Sequence, residues 1–472
     1  MMVIPAVRER CAAIDIGKRG LAVAVMVGPA DQEAEIHTRW TGTTVPVLNE
    51  LRSWLIEQGC KSVAMESTGS YWIPVKNVLE NGLKIVLIRP EKQRKRDKTD
   101  FRDAIDLCHK HRYGLLKGSY LPERGIVELR DLTRRRKKLL SAMSAEKNRI
   151  QKVLETANVK LGNVVSDVFG VSGQEIVKAL LSENPVGAEA LAELAKKKLR
   201  GKIAELTEAL QDHQMNEHHR WLIQQSVDHA VVLDEQLASL EQRVEEKLTP
   251  YRKQVELLVT IPGIQETTAA AILAEIGADM TEFETPAHLC SWAGICPGNH
   301  RSAGKSKGSR IKKASKFLLA ALVEASWGAA RTKDSAFQKR FHRWRVTLGP
   351  KKAAIAMAHR LLRVVHAVLS RNQPYVEPDP MVMHELARQK RVRHHIKQLR
   401  EMGADEGTLQ AISAQLMEAP LIQQELVKAK PKVPKADLER RGALGFRARR
   451  SQNPYSRAEK GGVRGHTRRG QT

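Results

Sequence analysis

The N-terminal part of the chain alternates between short apolar runs and amphipathic stretches, and this pattern constrains the fold more than any other feature. Two apolar runs, residues 11–16 and 21–27, are separated by a short turn bounded by glycines, which predicts a β-hairpin. The pattern then predicts strands at 37–44, 62–65 and 84–88, and helices at 47–58, at 71–80 and from about Thr99. The predicted order is therefore β-β-β-α-β-α-β-α.

This order is that of a ribonuclease H-like (RuvC-like) α/β domain with a mixed central sheet, which we place at residues 9–120. Residues 121–254 are rich in Leu, Ala, Glu, Lys, Arg and Gln at helical spacing, which predicts a helical or coiled-coil region. Residues 255–375 are predicted to form a mainly α-helical domain. A helical extension and a basic, disordered tail are predicted for residues 376–472.

The charge of the chain points to a polyanionic partner. Lys and Arg number 79 against 53 Asp and Glu, a formal net charge of +26, and nucleic acid is the first candidate. No apolar run approaches the roughly 18 residues of a membrane span, and no signal-type segment is recognisable at the N-terminus. We therefore expect a cytoplasmic protein without a membrane partner, associated with the nucleoid when it binds DNA.

Carboxylates recur where a catalytic site is expected. Asp15 lies inside the first predicted strand between two isoleucines, where a buried carboxylate is costly without a cation. Glu66 follows the strand at 62–65, and strand ends of α/β sheets are where sites tend to lie. Asp100 and Asp103 are three residues apart and share one helical face. Four such oxygen ligands would suit Mg²⁺ or Mn²⁺ and phosphodiester chemistry.

Spacing alone does not select among the aspartates of this segment, because Asp97 and Asp106 fall on a similar helical face. A single aspartate is also more often a helix cap or a solvated charge than a ligand. The stronger indication is the combination, in which two acids lie in or after sheet strands and the others follow on the next helix.

A second candidate is a Gly- and Ser-rich segment crowded with cations, residues 291–313. Ser302 is a candidate nucleophile there, and Arg301, Lys305 and Lys307 are candidate nucleic-acid-binding residues that could stabilise a transferring phosphate. Spacing alone favours a simpler interpretation, a flexible basic loop that contacts DNA backbone without chemistry. Two other serines, Ser306 and Ser309, are alternative nucleophiles.

Three motifs in this order resemble those of a known family: Ala-Ile-Asp15-Ile-Gly-Lys, Met-Glu66-Ser-Thr-Gly-Ser-Tyr-Trp and Lys-Thr-Asp100-Phe-Arg-Asp103-Ala. They resemble the D, E and K-T-D-x-x-D-A signatures of the DEDD transposases of bacterial insertion sequences, the insertion-sequence one-ten group. The resemblance implies that the metal-binding catalytic acids are Asp15, Glu66, Asp100 and Asp103. It leaves Asp97 and Asp106 outside the site.

The segment around Ser302 is similar to the C-terminal transposase domain of the same group, and Ser302 falls on its nucleophilic serine. The chain departs from the pattern at Ala303, where glycine is usual, and at Ser315 and Lys316, where Gly-Asn is usual. The resemblance spans residues 9–372. It implies a covalent phosphoserine intermediate, DNA partners at element ends and target, a guide (bridge) RNA in some members, and a homo-oligomer, dimer or tetramer, whose protomers could share active sites.

Two further features are compatible with nucleic-acid binding. Residues 261–264, Ile-Pro-Gly-Ile, are similar to a helix-hairpin-helix that binds a DNA phosphate, although a plain helical turn fits equally well. The basic runs at 92–98 and 134–138 could follow a nucleic-acid backbone, whereas most charge runs are solvated faces.

Two rival functions remain at this stage. A junction-resolving nuclease would use only the carboxylates and water, and trapping a covalent protein–DNA adduct separates it from the serine recombinase. A non-catalytic nucleic-acid-binding protein would use its acids structurally, and it would show no metal-dependent strand cleavage.

Overall fold

The computed structural model describes residues 6–67, 69–89, 99–182, 186–298, 300–302, 305–308, 311, 314–377 and 379–410, with the backbone alone at 300–302, 305–308, 380–387 and 390. The contacts divide the chain into two compact units, Met1–Pro122 and Glu123–Thr472. We call them the N-terminal and the C-terminal unit and describe each by itself.

A five-stranded mixed sheet forms the centre of the N-terminal unit. Its strands are β1 (Arg10–Ile16), β2 (Leu21–Val27), β3 (Glu35–Thr41), β4 (Ser62–Glu66) and β5 (Lys84–Ile88). Their order across the sheet is β3-β2-β1-β4-β5. The first three strands pair antiparallel, and β4 and β5 extend the sheet in parallel with β1. The predicted hairpin and the predicted mixed sheet are confirmed.

Helices cover both faces of this sheet, which explains why its central strands are almost continuously apolar. One face carries Ile14 and Met65 and packs against α1 (Val45–Glu57) and α2 (Trp72–Leu79). The opposite face carries small residues such as Ala13 and packs against α3 (Asp100–Arg112). Small side chains on that face let α3 lie close to the strands.

The C-terminal unit begins with a pair of long antiparallel helices. These are α4 (Arg124–Thr156) and α9 (Glu217–Leu248), packed through a seam that contains Leu139 and Leu237. The sequence between these two helices forms a small helical cluster, which consists of α5 (Leu161–Val164), α6 (Val171–Leu180), α7 (Ala188–Glu193), a 3-10 helix (Lys197–Lys202) and α8 (Ile203–Leu210). The predicted helical middle region is present.

The rest of this unit is mainly helical. Its helices are α10 (Arg252–Val259), α11 (Glu266–Ile276), α12 (Pro286–Trp292), α13 (Lys316–Arg331), α14 (Ala336–Leu348), α15 (Pro350–Arg371) and α16 (Pro380–Glu401), and a 3-10 turn (Thr249–Tyr251) precedes α10. A two-stranded antiparallel hairpin, β6 (His300–Ser302) and β7 (Lys305–Gly308), separates α12 from α13. The expectation of a plain loop around Ser302 is therefore wrong in part. Helix α16 belongs to the predicted helical extension, whereas the part of the chain after residue 410, including the predicted basic tail, lies outside the described residues.

Helix α15 corrects one expectation about membrane spans. By length and composition it is long and apolar enough to cross a bilayer. The prediction that no apolar run reaches the length of a membrane span is therefore wrong for this helix. However, 56% of its most apolar window is buried in the unit, and Leu361, Leu362 and Val365 are fully covered. Such burial is typical of a core helix.

Candidate active site

The first two candidate acids lie side by side at one end of the sheet. Ile14 of β1 pairs with Met65 of β4, so the next residues in register are Asp15 and Glu66. Because side chains alternate along a strand, both acids belong to the face that carries Ala13 and Ala64, the face covered by α3. The carboxyl ends of two adjacent parallel strands therefore bring Asp15 and Glu66 together.

The direction of α3 brings its first turn to the same end. Near the helix C-terminus, the His111 Nε2 and Ser62 Oγ atoms are hydrogen-bonded at 2.8 Å, and the Cys108 Sγ lies 3.8 Å from the Cys11 Sγ. Ser62 and Cys11 lie at the beginnings of β4 and β1. Since the C-terminal half of α3 lies over the strand beginnings, its N-terminal turn, capped by Thr99, lies towards the strand carboxyl ends.

The buried residues of α3 show where its aspartates lie relative to the sheet. Ala104 and Cys108 are buried against the sheet, and Asp100 precedes them by four and eight residues on the same stripe. Asp103 is half-buried, one turn before the buried Leu107. Asp100 and Asp106 are both exposed, so exposure does not choose between them, and Asp97 lies outside the described residues.

The chemistry of this donor set fits a hard divalent cation, because all four candidates supply carboxylate oxygens from the ends of regular elements. Within the described part of the chain, however, no three His, Cys, Asp or Glu side chains converge closely enough to hold a metal ion. The backbone therefore supports a shared site at this sheet end, and the assignment of Asp15, Glu66, Asp100 and Asp103 as ligands stays a prediction.

Buried polar groups fix the end of α3 remote from these acids. Burial, together with the positive charge of Arg8, lowers the pKa of His111 to about 4, so this imidazole is neutral near pH 7. The hydrogen bond between the two thiols lowers the pKa of Cys11 and raises that of Cys108. Arg112 is almost fully buried and donates hydrogen bonds to backbone carbonyl oxygens, among them that of Glu9 at 2.8 Å. Sequence reasoning missed these anchors because no local pattern marks them.

The second candidate site is the hairpin that carries the serine. Ser302 ends β6 and pairs with Lys305 of β7, while Arg301 pairs with Ser306. With Lys307, these residues all lie on one short hairpin, so the predicted cations and the predicted nucleophile share one element. Their side chains, and Ser309, are not part of what the structure describes. The role of Ser302 therefore stays a prediction.

A half-buried ion pair anchors the start of α13, the first helix after this hairpin. Ser315 caps α13 and donates a hydrogen bond to Glu275 of α11 at 3.0 Å. Glu275 in turn accepts two hydrogen bonds from Arg134 of α4, at 2.7 and 2.9 Å, and this contact raises the pKa of the guanidinium. The Arg134 guanidinium also stacks over Phe317, 4.9 Å from the ring centroid. Ser315, where the family pattern has glycine, thus joins three helices.

The same contacts correct the interpretation of the basic run at 134–138. Arg134 binds Glu275, and Arg136 binds Glu241 of α9 at 2.7 Å, so both arginines are structural. Arg135, Lys137 and Lys138 remain exposed. The run at 92–98 lies outside the described residues.

The turn at residues 261–264 has a structural reason for its glycine. Gly263 has a φ of +87°, and a Cβ atom there would lie 2.3 Å from backbone atoms of Ala325 and Ala329 on α13. The turn thus packs backbone to backbone on α13, close to Gly328. This packing favours the plain helical turn over a phosphate-binding hairpin as the explanation for Gly263.

A mixed five-stranded sheet with carboxylates at its strand ends, followed by a mostly helical unit, is consistent with a ribonuclease H-like DEDD transposase. Comparisons with known proteins make the class more specific. Residues 12–159 match the DEDD family of IS110 type described as "Transposase", and residues 255–342 match "Transposase IS116/IS110/IS902 family". These two segments are therefore similar to transposases of the IS110 family, the insertion-sequence one-ten group of the motif resemblance.

Individual relatives agree with this assignment. The chain is 34% identical over 130 residues to the pilin gene-inverting proteins of Moraxella bovis and Moraxella lacunata, covering 26% of this chain and 38% of either relative. It is 27% identical over 302 residues to an uncharacterized 42 kDa protein of the insertion element IS900 in Mycobacterium paratuberculosis, covering 59% of this chain and 73% of that protein. The chain therefore spans well under half the length of the pilin gene-inverting relatives.

Proposed function

We propose that the protein is a transposase that cleaves and exchanges DNA strands to move an insertion sequence. The observation that carries the proposal is that β1 and β4, which carry Asp15 and Glu66, end at the sheet end towards which α3 begins, inside a segment that matches DEDD transposases. A relationship to proteins named for gene inversion supports strand exchange rather than simple cleavage.

In this proposal, Asp15, Glu66, Asp100 and Asp103 hold Mg²⁺ or Mn²⁺, which supplies charge neutralisation at the scissile phosphate. A bound cation would also offset the repulsion between these carboxylates and the DNA backbone. In the same proposal, the DNA backbone binds to the basic surface of the chain, whose net charge is +26.

Ser302 is the proposed nucleophile. Its Oγ atom forms a bond to phosphorus as the bond to a deoxyribose oxygen breaks, the serine proton passes to solvent or a base, and a phosphoserine holds the cut end. Arg301, Lys305 and Lys307 lie on the same hairpin and would neutralise charge on the transferring phosphate. Rejoining reverses the same exchange on another strand, so the energy of the phosphodiester bond is kept.

The partners proposed for this chemistry are DNA at element ends and target, a guide RNA and further copies of this chain. A homo-oligomer follows from the need to cut more than one strand end in one event. The DNA flanking the coding region can be searched for element ends and a structured non-coding RNA, and finding neither would count against guided transposition.

The test of the serine chemistry is denaturing electrophoresis of the protein with labelled element-end DNA. We expect the wild type to give a shifted, protease-sensitive band, and Ser302→Ala to lose it while keeping DNA binding. Ser306→Ala, on the facing strand, is the matched control and should keep the band. A band retained by Ser302→Ala would assign the nucleophile to another residue. Metal-dependent cleavage without any band from the wild type would favour a water-using nuclease.

A further inference from the structure

Two exposed aromatic side chains lie at the carboxylate end of the N-terminal sheet. Trp40 of β3 retains 53% and Phe101 of α3 retains 37% of its accessible surface, and their rings meet edge to face with centroids 6.1 Å apart. A pair of large aromatic side chains exposed at one place is informative about binding, because packing in a hydrophobic core does not explain it.

The pairing register relates this aromatic pair to the carboxylates. Trp40 pairs with Ala22 of β2, and Ala22 pairs with Asp15 of β1. Directly paired residues point to the same face, so Trp40 and Asp15 share the face on which α3 lies. Their Cα atoms are two strand spacings apart, about 10 Å, which is about three stacked-base spacings of a nucleic-acid strand.

The Trp40 ring is held in place without being covered. It lies directly over Gly20, where a Cβ atom would come within 2.4 Å of the ring, so only glycine permits this pose. Phe101 supports it from α3, and β3 is an edge strand, which leaves the tryptophan accessible from solvent. A tryptophan with a fixed position and a free ring surface loses little entropy on stacking against a ligand.

The charges nearby indicate what that ligand is. The turn between β1 and β2 carries Lys18 and Arg19, both exposed, immediately before Gly20. Cations next to an exposed aromatic ring are the usual combination for single-stranded nucleic acid, in which the backbone is neutralised and a base stacks. A protein partner would not account for the carboxylates on the same face.

We propose that Trp40, supported by Phe101, is a stacking platform for an unpaired DNA base next to the phosphate held at the carboxylate end. This inference rests on the proposed function, because the strand at the carboxylates must be the DNA that is cut. Stacking there would hold a base out of the duplex and fix the position of its neighbouring phosphate.

The test measures the affinity of the full-length protein for a short single-stranded DNA and for the same backbone without bases, in Ca²⁺. For the wild type, we expect the intact strand to bind more tightly. In Trp40→Ala that preference should fall by about 5- to 150-fold, the amount one stacked base contributes. Phe101→Ala should reduce the preference less, and Trp40→Phe should keep most of it.

Trp221→Ala is the matched control, because Trp221 is 59% exposed in the C-terminal unit and should leave the preference unchanged. Thermal unfolding checks that each variant folds, and if Trp40→Ala does not, the comparison of Phe101→Ala with Trp40→Phe decides. An unchanged preference in folded Trp40 and Phe101 variants overturns the platform while leaving metal-dependent cleavage by the wild type intact. A larger Trp40-dependent effect with the matching RNA strand overturns the assignment to DNA. Absence of wild-type cleavage would instead refute the proposed function.

Discussion

The two elements that carry the proposed chemistry are anchored in opposite ways. In the N-terminal unit, α3 is fixed near its C-terminus by the neutral His111–Ser62 hydrogen bond and the Cys11–Cys108 contact, remote from Asp100. In the C-terminal unit, the anchor is an ion pair between Arg134 and Glu275, and it contacts Ser315, which caps α13, the first helix after the serine hairpin. Damage to the first anchor should therefore cost stability alone, whereas damage to the second should also reach the hairpin.

The largest effect is expected at the carboxylates themselves. Asp15→Ala or Glu66→Gln should lower cleavage by more than about 100-fold, since loss of a ligand should exceed the 10- to 100-fold typical of residues behind the ligands. Unfolding temperature should stay close to that of the wild type, because neither substitution touches the anchors. The measurement is cleavage of labelled DNA in Mg²⁺ or Mn²⁺, with Asp106→Ala as the control that keeps activity. Full cleavage in excess chelator would contradict the metal site.

The second-largest effect is expected in acid, which should weaken the anchor that His111 and Ser62 form at the end of α3. Because the pKa of His111 is about 4 in the folded state and about 6.5 when unfolded, the unfolded chain binds more protons between these values. Stability should therefore fall as pH drops from about 6.5 to about 4, by about 3 kcal/mol from this group. Unfolding followed by circular dichroism measures the slope, and His111→Gln should flatten it. An equal slope in both proteins would contradict the buried neutral imidazole.

The elements predicted best from the sequence are those determined by local pattern. The β1–β2 hairpin follows from two apolar runs around a glycine-bounded turn, and the bounds of β5 are as predicted. Strand β3 begins two residues earlier than predicted, because an edge strand with one half-exposed face has a weak apolar pattern. Asp15 and Glu66 could be proposed because they lie at the carboxyl ends of such strands.

The parts that could not be predicted depend on long-range partners. Arg134 looked like part of a nucleic-acid-binding run, but its partner Glu275 is 141 residues away in sequence. The hairpin β6–β7 consists of Gly, Ser, Lys and Arg without apolar alternation, so no strand period marked it.

Breaking the ion pair tests the second anchor. Glu275→Ala leaves Arg134 unpaired and should cost about 2 to 3 kcal/mol of unfolding free energy, below the range for fully buried pairs because Arg134 retains 37% side-chain exposure. Strand exchange should fall as well, since the start of α13, the helix that follows the serine hairpin, loses this anchor. Chemical denaturation and the adduct assay measure the two effects.

A double replacement sharpens that result. Replacing both partners, Arg134→Leu with Glu275→Leu, should recover most of the stability, because no buried charge is left unpaired. Glu193→Ala, in an exposed pair with Arg200, is the surface control and should change stability little. If the double variant also recovers strand exchange, the pair has a structural role only, and if Glu275→Ala keeps full exchange, the hairpin does not depend on this anchor.

The smallest effect concerns Ser315, which caps α13 and donates a hydrogen bond to Glu275 of that anchor. Its hydroxyl accepts a hydrogen bond from the Leu318 amide at the start of α13 and donates one to Glu275. Ser335 is a close match, because it caps α14 through the Gln338 amide but donates to the uncharged carbonyl oxygen of Thr332. Loss of either cap should cost about 1 kcal/mol. Ser315→Ala should cost more than Ser335→Ala, since a hydrogen bond to a carboxylate is about twice as strong as a neutral one. Denaturation of the two variants side by side measures this difference, and equal costs would show that Glu275 gains nothing from Ser315.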